Sequence, residues 1–257
     1  MAGPYRVSLA AADILSQSLA LNLRLFPFEI PSVGRLKQDR VRIARMVFLD
    51  LARRGLVRNG ELDPGLRRAL DTIADYRVAV AVLGTLEKGK QIMARASANG
   101  DTGVLAVQDG QHFRLELIRP TALAATVVGL LPKADAGPGQ SVTLTKPALR
   151  GDEATSLFGD VSAPRHTVTP SALRVAEGYL TRPRTGAGFF AVSGKDRNGK
   201  DVRTGEVGWF DTDAGRYLNL SRPPGEDGQI HGTLSPADNA RLTQQLGHLI
   251  DSAARPG

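Results

Sequence analysis

The order of local patterns in this chain occurs twice, and that repetition constrains the fold more than any single motif. In the first half Asp63-Pro64 supplies an N-cap and a proline at the first helical position. The helix that follows carries Leu66, Ala69, Leu70 and Ile73 on one face. Strands are predicted at 77–83, 91–98, 103–107 and 112–118. In the last of these Phe113, Leu115 and Leu117 alternate with His112, Arg114 and Glu116. Asp109-Gly110 marks a tight hairpin before it, and Pro120 opens a helix running to Leu131. In the second half Thr169-Pro170 begins a helix with Leu173, Ala176 and Leu180. Strands then fit 187–193, 201–211, 215–220 and 228–234. SPAD opens the final helix as a capping box, with Ser235 as N-cap and Asp238 three residues on.

The repeat also explains a misleading motif. VAVAVLGTLEKGKQ contains Gly84, Gly89 and Lys90 in the spacing G-x-x-x-x-G-K, one residue short of a phosphate-binding loop. Gln91 stands where that loop places a Ser or Thr hydroxyl on Mg²⁺, and an amide is a poor ligand for so hard a cation. The loop must also lead into a helix, whereas Ile92, Ala94, Ala96 and Ala98 alternate with Met93, Arg95 and Ser97 as in a strand. The second half offers a counterpart, GFFAVSGKDRNGKDVRTGEVGWF, again with a Lys/Gly-rich link between strands. DTGVLAV at 101–107 similarly matches DAGRYLNL at 213–220. The expectation is a hairpin turn met twice, with no nucleotide bound.

Outside the repeat, Ser8 caps a helix over 9–21, FPFEIPS is extended or turned, and a helix spans Leu36 to Arg54. Ile43, Val47, Phe48 and Leu51 form its apolar face, and Gly55 permits the left-handed stop. A short strand lies near SVTLT. Residues 149–168 have no sustained period and read as a mobile loop joining an N-terminal half, 1–148, to a C-terminal half, 169–257, of one domain.

The 257 residues contain no cysteine, which excludes disulfides, thiolate nucleophiles and Cys-ligated zinc. Asp13, Ser16, Gln17 and Ser18 interrupt the N-terminal apolar run, so neither a signal peptide nor a membrane span is expected, and the cytoplasm is the expected address. The net charge of +7 leaves a basic nucleic-acid-binding module, or another protein-interaction module, as the alternative reading. Against nucleic acid, the basic residues read as spread, with clusters at Arg53-Arg54, Arg67-Arg68 and Lys195 to Arg203, and lack interleaved aromatics.

WFDTDAGRYLNL, with EIPSVGR, ARRGLVRNGELDPGLRRAL, VLAVQDGQHFRLELIRPTALAATVVGLLP and TLSPADNARLTQQLGHLI, resembles the EspG family of type VII (ESX) secretion chaperones over nearly the whole length. The resemblance implies an α/β (α+β) fold of two quasi-equivalent halves, with a central, mostly antiparallel sheet carrying two helical bundles. It implies a cytoplasmic chaperone that keeps a secreted PE–PPE pair (named for Pro-Glu and Pro-Pro-Glu motifs) soluble. The apolar tip of the PPE protein would be gripped by the sheet and the C-terminal helical bundle.

No catalytic or metal-binding set is expected. His112, His166, His231 and His248 lack ligand spacing, and Asp211 and Asp213 read as turn formers. No cofactor is expected either. Candidate partner contacts are Phe189, Phe190, Trp209 and Tyr217, since aromatics give large contact area, with Leu242, Leu246 and Ile250 on the last helix. Strands alternate faces, so the sequence leaves open which of these are core.

Overall fold

The computed structural model describes residues 3–147, 170–221 and 229–254. One ten-stranded sheet organises the chain, in the order β1-β7-β6-β5-β4-β9-β10-β11-β12-β8, with every pair antiparallel. Its first half comprises β1 (Tyr5–Ser8) and the meander β4 (Val78–Thr85), β5 (Gln91–Asn99), β6 (Thr102–Asp109) and β7 (His112–Ile118). The second comprises β8 (Val142–Pro147), β9 (Arg184–Lys195), β10 (Asp201–Thr212), β11 (Gly215–Ser221) and β12 (Gln229–Pro236). Strand β8 lies before residue 148, within the N-terminal half expected from the sequence, but it pairs with β12. In each half the earliest strand returns to the outer edge, beside the last strand of the meander.

The helices are α1 (Leu9–Ser18), α2 (Lys37–Arg53), α3 (Pro64–Ala74), α4 (Leu123–Val128), α5 (Pro170–Leu180) and α6 (Asn239–Ala254). Local chemistry sets most of their ends. The Ser8 side chain accepts from the Ala11 amide at 3.0 Å, and Asp63 Oδ1 accepts from the Gly65 and Leu66 amides at 2.9 and 3.0 Å. Gly55, at φ 71°, follows the end of α2. Two expectations need correction. Ser235 is not a cap but a buried residue of β12 paired with Leu218; Asp238 caps α6, accepting from the Arg241 amide at 2.8 Å. The helix expected over 120–131 is a 3₁₀ turn, Pro120–Ala122, leading into the short α4.

The two opening hairpins coincide when the chain is shifted by 110 residues, taking the Thr85–Gln91 pair onto Lys195–Asp201. In the first loop the Leu86 amide donates to the Lys90 carbonyl and the Gly89 amide to that of Leu86. The second repeats both bonds, Asp196 to Lys200 and Gly199 to Asp196. Gly89 and Gly199 both have the left-handed backbone that this turn demands, at φ 74° and 75°. The halves meet along β4 and β9, where Ala81 pairs with Ala191, its own equivalent under the same shift. A pseudo-two-fold axis therefore passes through that pair.

One sheet face is covered by α4 and α6, which pack Leu123, Val127, Leu242 and Leu246 onto Val80, Val82, Phe190, Val192 and Trp209. The other face is loaded at its two ends. Helices α1, α2 and α3 bury Ile14, Leu15, Leu51, Leu66 and Leu70 against Val104, Ala106, Phe113 and Leu115. Helix α5 places Ala176 and Tyr179 over Phe210, Tyr217 and Leu234. A small hairpin, β2 (Val57–Arg58) with β3 (Glu61–Leu62), was not expected, although Asn59-Gly60 is a strong turn signal. The linker expected at 149–168 lies outside the described residues.

Candidate functional site

The two end layers leave part of the middle of the second face bare. A row of side chains crosses it there, following the strand register from Gln108 through Met93, Leu83, Phe189 and Gly208 to Asn219. Every member is half-buried. The centre of the row, Met93-Leu83-Phe189, is apolar and its ends are polar, which is the layout of a contact patch with a wettable rim. Phe26 extends it. Its ring stacks on Phe189 with centroids 6.1 Å apart and planes inclined by 13°, and it stays 51% exposed. Towards the β4–β5 loop the row runs into a shallow cleft of about 430 Å³ bordered by Lys88, Arg184 and Ala187.

Phe26 is held by polar groups reaching it from several elements. Asp13 on α1 is buried and accepts from the Val33 amide at 3.0 Å and from Arg40 Nη1 at 2.8 Å, and it also pairs with Arg24. Arg24 Nε in turn donates to the Ile30 carbonyl at 3.1 Å. Burial alone would raise the Asp13 pKa, but the Val33 amide and the two guanidinium groups outweigh it, so the carboxyl titrates below its ordinary range. The segment between α1 and α2 is thereby pinned across the sheet.

Arg95 forms part of the floor. It is 5% exposed, donates from Nη1 to the Phe26 carbonyl at 3.1 Å, and lies 4.5 Å from the centre of the Tyr76 ring. Tyr76 donates to Asp201 at 2.7 Å, and Lys195 Nζ meets the same carboxylate at 2.6 Å. Burial lowers the Arg95 pKa, opposed by Tyr76 and Asp201. Bonding to Asp201 raises that of Lys195 despite some burial. The cluster ties α3's exit to both halves of the sheet.

The structure divides the expected partner contacts sharply. Phe190, Trp209, Tyr217, Leu242 and Leu246 are core, none more than 2% exposed. In the free chain they form no part of the exposed surface. Phe189 and Ile250 alone are half-buried. Strand alternation accounts for part of this, since neighbours such as Phe189 and Phe190 must point to opposite faces. On α6 the Leu242-Leu246-Ile250 stripe is the helix's apolar face and turns to the sheet, leaving Arg241, Gln244 and His248 exposed. Leu83, Met93 and Phe26 went unnoticed in the sequence. The alternation of β4 and β5 marks the first two, but nothing local says which face stays bare.

The acids of WFDTDAGRY have structural work. Asp211 makes a two-pronged ion pair with the fully buried Arg216, Nε–Oδ1 2.6 Å and Nη2–Oδ2 2.9 Å. Arg216 also donates to Asn239 Oδ1 at 2.7 Å and to the Pro132 carbonyl at 3.1 Å, tying the sheet to α6. This arginine was missed, although a two-residue turn places it directly opposite Asp211. Thr212 Oγ1 closes that turn by accepting from the Ala214 amide and donating to the Gly215 carbonyl. The equivalent turn after β5 pairs Asn99 with Thr102, so Thr102, not Gly103 as the matched segments imply, is the counterpart of Gly215 in the repeat. Asp213 pairs loosely with Arg182. His112 sits against Arg6, His248 is exposed on α6, and His166 lies outside the described residues. Among the described residues no group of three or more His, Cys, Asp or Glu could hold a metal, and no helix is long and apolar enough to cross a membrane.

Gly89 and Lys90 end a loop whose Leu86 and Gly89 amides are used internally and whose Gln91 begins a strand. Amides so bonded are not free to cradle phosphates. The loop is the hairpin that the repeat implied.

Comparison with known proteins agrees with this geometry. The Mycobacterium tuberculosis type VII secretion system chaperone EspG5, solved in complex with a PE25–PPE41 dimer, superimposes with a TM-score of 0.68. The match covers 99% of this chain and 98% of that one at 13% identity, a likeness of fold. No curated protein matches the sequence. The EspG family model, however, matches residues 8–248, nearly the whole length, and the chain belongs to the EspG family.

Proposed function

We propose that this protein is a cytoplasmic, non-enzymatic chaperone of a type VII secretion system that binds a PE–PPE type pair and keeps it soluble for export. The observation that carries the reading is the family match over residues 8–248 on a fold shared with a chaperone solved holding a PE–PPE dimer. The uncovered row supports it physically. Met93, Leu83 and Phe189, extended by Phe26, form an apolar patch suited to shielding the apolar tip of the PPE protein, which would otherwise drive self-association. Ile250, half-buried on the sheet-facing stripe of α6, is the second point of contact that we propose. The nucleic-acid reading finds no support at this patch, which lacks a basic lining along its centre.

The test is co-expression with candidate PE–PPE pairs encoded in the same genome. The pair should be soluble and exported with the protein and should aggregate without it. Phe189→Arg should abolish co-purification while circular dichroism and melting temperature stay near wild type. Truncating such a contact at the centre of an interface costs about 2 kcal/mol or more, roughly thirtyfold in affinity. Equal solubility and equal export of every candidate pair with and without the protein would refute the function.

A further inference from the structure

The charge of the chain is not evenly distributed. Residues 35–58 hold eight Lys or Arg against two acids, Asp39 and Asp50, a local excess of six where the whole chain has seven. The basic clusters that look scattered along the sequence therefore nearly cancel elsewhere. The excess sits on and around α2, which buries only Val47 and Leu51 of its 17 residues. Its outer half carries Val41, Met46 and Leu49, exposed by 64%, 65% and 51%, between Arg42, Arg45 and Arg53. Among the described residues Arg45 and Arg53 form neither an ion pair nor a side-chain hydrogen bond and Arg42 meets Asp39 only at 3.6 Å, whereas Arg54 is tied to Asp50 and Arg40 to Asp13. Large apolar side chains are the costliest to leave in water, and three on one helix face is a concentration.

We propose that the outer face of α2 is a second docking surface, separate from the uncovered row on the sheet. Its occupant is an acidic amphipathic helix of a partner protein. Charge complementarity chooses that occupant. Seven of the eight basic residues are Arg, whose planar guanidinium grips a carboxylate with two parallel bonds, while the flexible Met46 fills an irregular apolar contact. A membrane-lying helix segregates a wide apolar face for the lipid and crowns it with cations. On α2 that compact apolar face, Val47 and Leu51 with Ile43 and Phe48, already faces the protein core. The exposed apolar groups are interleaved with arginines, and no aromatic side chain is exposed on the helix. An acidic helix presenting Leu and Glu at helical spacing meets both kinds of group at once.

The experiment uses the full chain and a fluorescent 21-residue peptide of Leu and Glu in heptad order, read by anisotropy. Saturable binding is expected, with at least tenfold weaker binding of a peptide of the same composition in scrambled order. The triple variant Arg42→Glu/Arg45→Glu/Arg53→Glu should lose at least tenfold in affinity, and so should Val41→Ser/Met46→Ser/Leu49→Ser, each with an unchanged melting temperature. Co-purification with a PE–PPE pair should be the same for both variants as for wild type, which separates this surface from the one on the sheet. Equal binding of the ordered and scrambled peptides would overturn the proposal by showing attraction of charge alone. No binding of either would overturn it too. So would tighter binding, through the same arginines, to phosphatidylglycerol vesicles or to a 20-base-pair DNA duplex.

Discussion

The two halves of the sheet share strand order, hairpin loops and a dyad, yet they are loaded differently. The first half carries three helices on its outer end, packed through aliphatic side chains such as Ile14, Leu15, Leu66 and Leu70. Among the described residues the second carries only α5, and its small cluster is aromatic: Tyr179 stacks on Tyr217 at 4.5 Å, and Tyr217 on Phe210 at 5.2 Å. On the opposite face the imbalance reverses, with the 6-residue α4 beside the 16-residue α6. The salt-bridged charges at the heart of each half also differ in sign: Asp13 is held by two arginines in the first half, and Arg216 by Asp211 in the second. Arg95, a further buried cation of the first half, rests on Tyr76 and the Phe26 carbonyl. Strand topology can thus be repeated while each half solves its own burial problem. The uncovered row exists because the cover that α3's exit extends over the dyad, where Ala81 and Ala191 are buried, stops short of Leu83 and Phe189.

The largest expected effect comes from the face where the halves share one core. Leu246 is fully buried between α6 and the sheet, so Leu246→Arg places an unpaired cation in a dry site. It should unfold the chain, with loss of its circular dichroism signal and of the melting transition, since such charges cost several kcal/mol. A folded Leu246→Arg protein would mean that α6 can detach, and that the second half does not depend on it.

The two buried ion networks should respond unequally. Arg216→Ala strands Asp211 and leaves Asn239 and the Pro132 carbonyl with only the longer bonds from the Ala134 amide and Asn239 Nδ2, at a cost of about 3–5 kcal/mol. Asp13→Ala leaves Arg24, whose side chain is 46% exposed, and Arg40, at 23%, both able to regain water, so a smaller loss of about 2 kcal/mol is expected by denaturant unfolding. The acid response should follow Asp13. Its folded pKa lies below the unfolded value, so its contribution is complete above the ordinary carboxylate pKa of about 4 and is lost as pH falls through the folded value. Asp13→Asn should flatten the acid limb of the stability curve; an unchanged limb would show that other carboxylates govern it.

The smallest effect tests the loops. Lys90→Ala and Lys200→Ala should each change stability by no more than about 0.5 kcal/mol, as surface substitutions do. Neither the wild type nor either variant should give a heat of binding with Mg-ATP or Mg-GTP in calorimetry. Nucleotide binding abolished by Lys90→Ala alone would break the equivalence of the two loops.

Much of this architecture is legible in the sequence because its signals are local. Asp63-Pro64, Ser8 and Gly55 each mark a helix end by chemistry confined to a few residues, and β7 announces itself by strict alternation. The hairpin reading of Gly84 to Lys90 succeeded because the second half supplied an independent copy. Sidedness was not legible. Trp209 and Tyr217 look like contact residues until Gly84 and Gly188 are seen to lie against the Trp209 ring and Tyr179 against that of Tyr217. Which side of a strand is covered depends on helices distant from it in the sequence. The same is true of Phe26, whose position over Phe189 is fixed by Asp13, Arg40 and Arg95 from three separate elements.

The Ala81–Ala191 pair carries a further consequence. Where a strand meets its own equivalent in reverse across a two-fold axis, the contact is isologous, the type that joins two identical chains into a closed dimer. The central seam of this protein has that geometry, with the two subunits written into one polypeptide. Held apart, the first half would end in β4 as a bare edge, apolar from Val78 to Leu83, the kind of strand that seeks another copy. Covalent fusion replaces that concentration-dependent encounter by an intramolecular one at an effective concentration in the millimolar range. It also allows the two subunits to differ, so that one face can be closed by a long helix on one side while the opposite face is left open beside the axis, at Leu83 and Phe189.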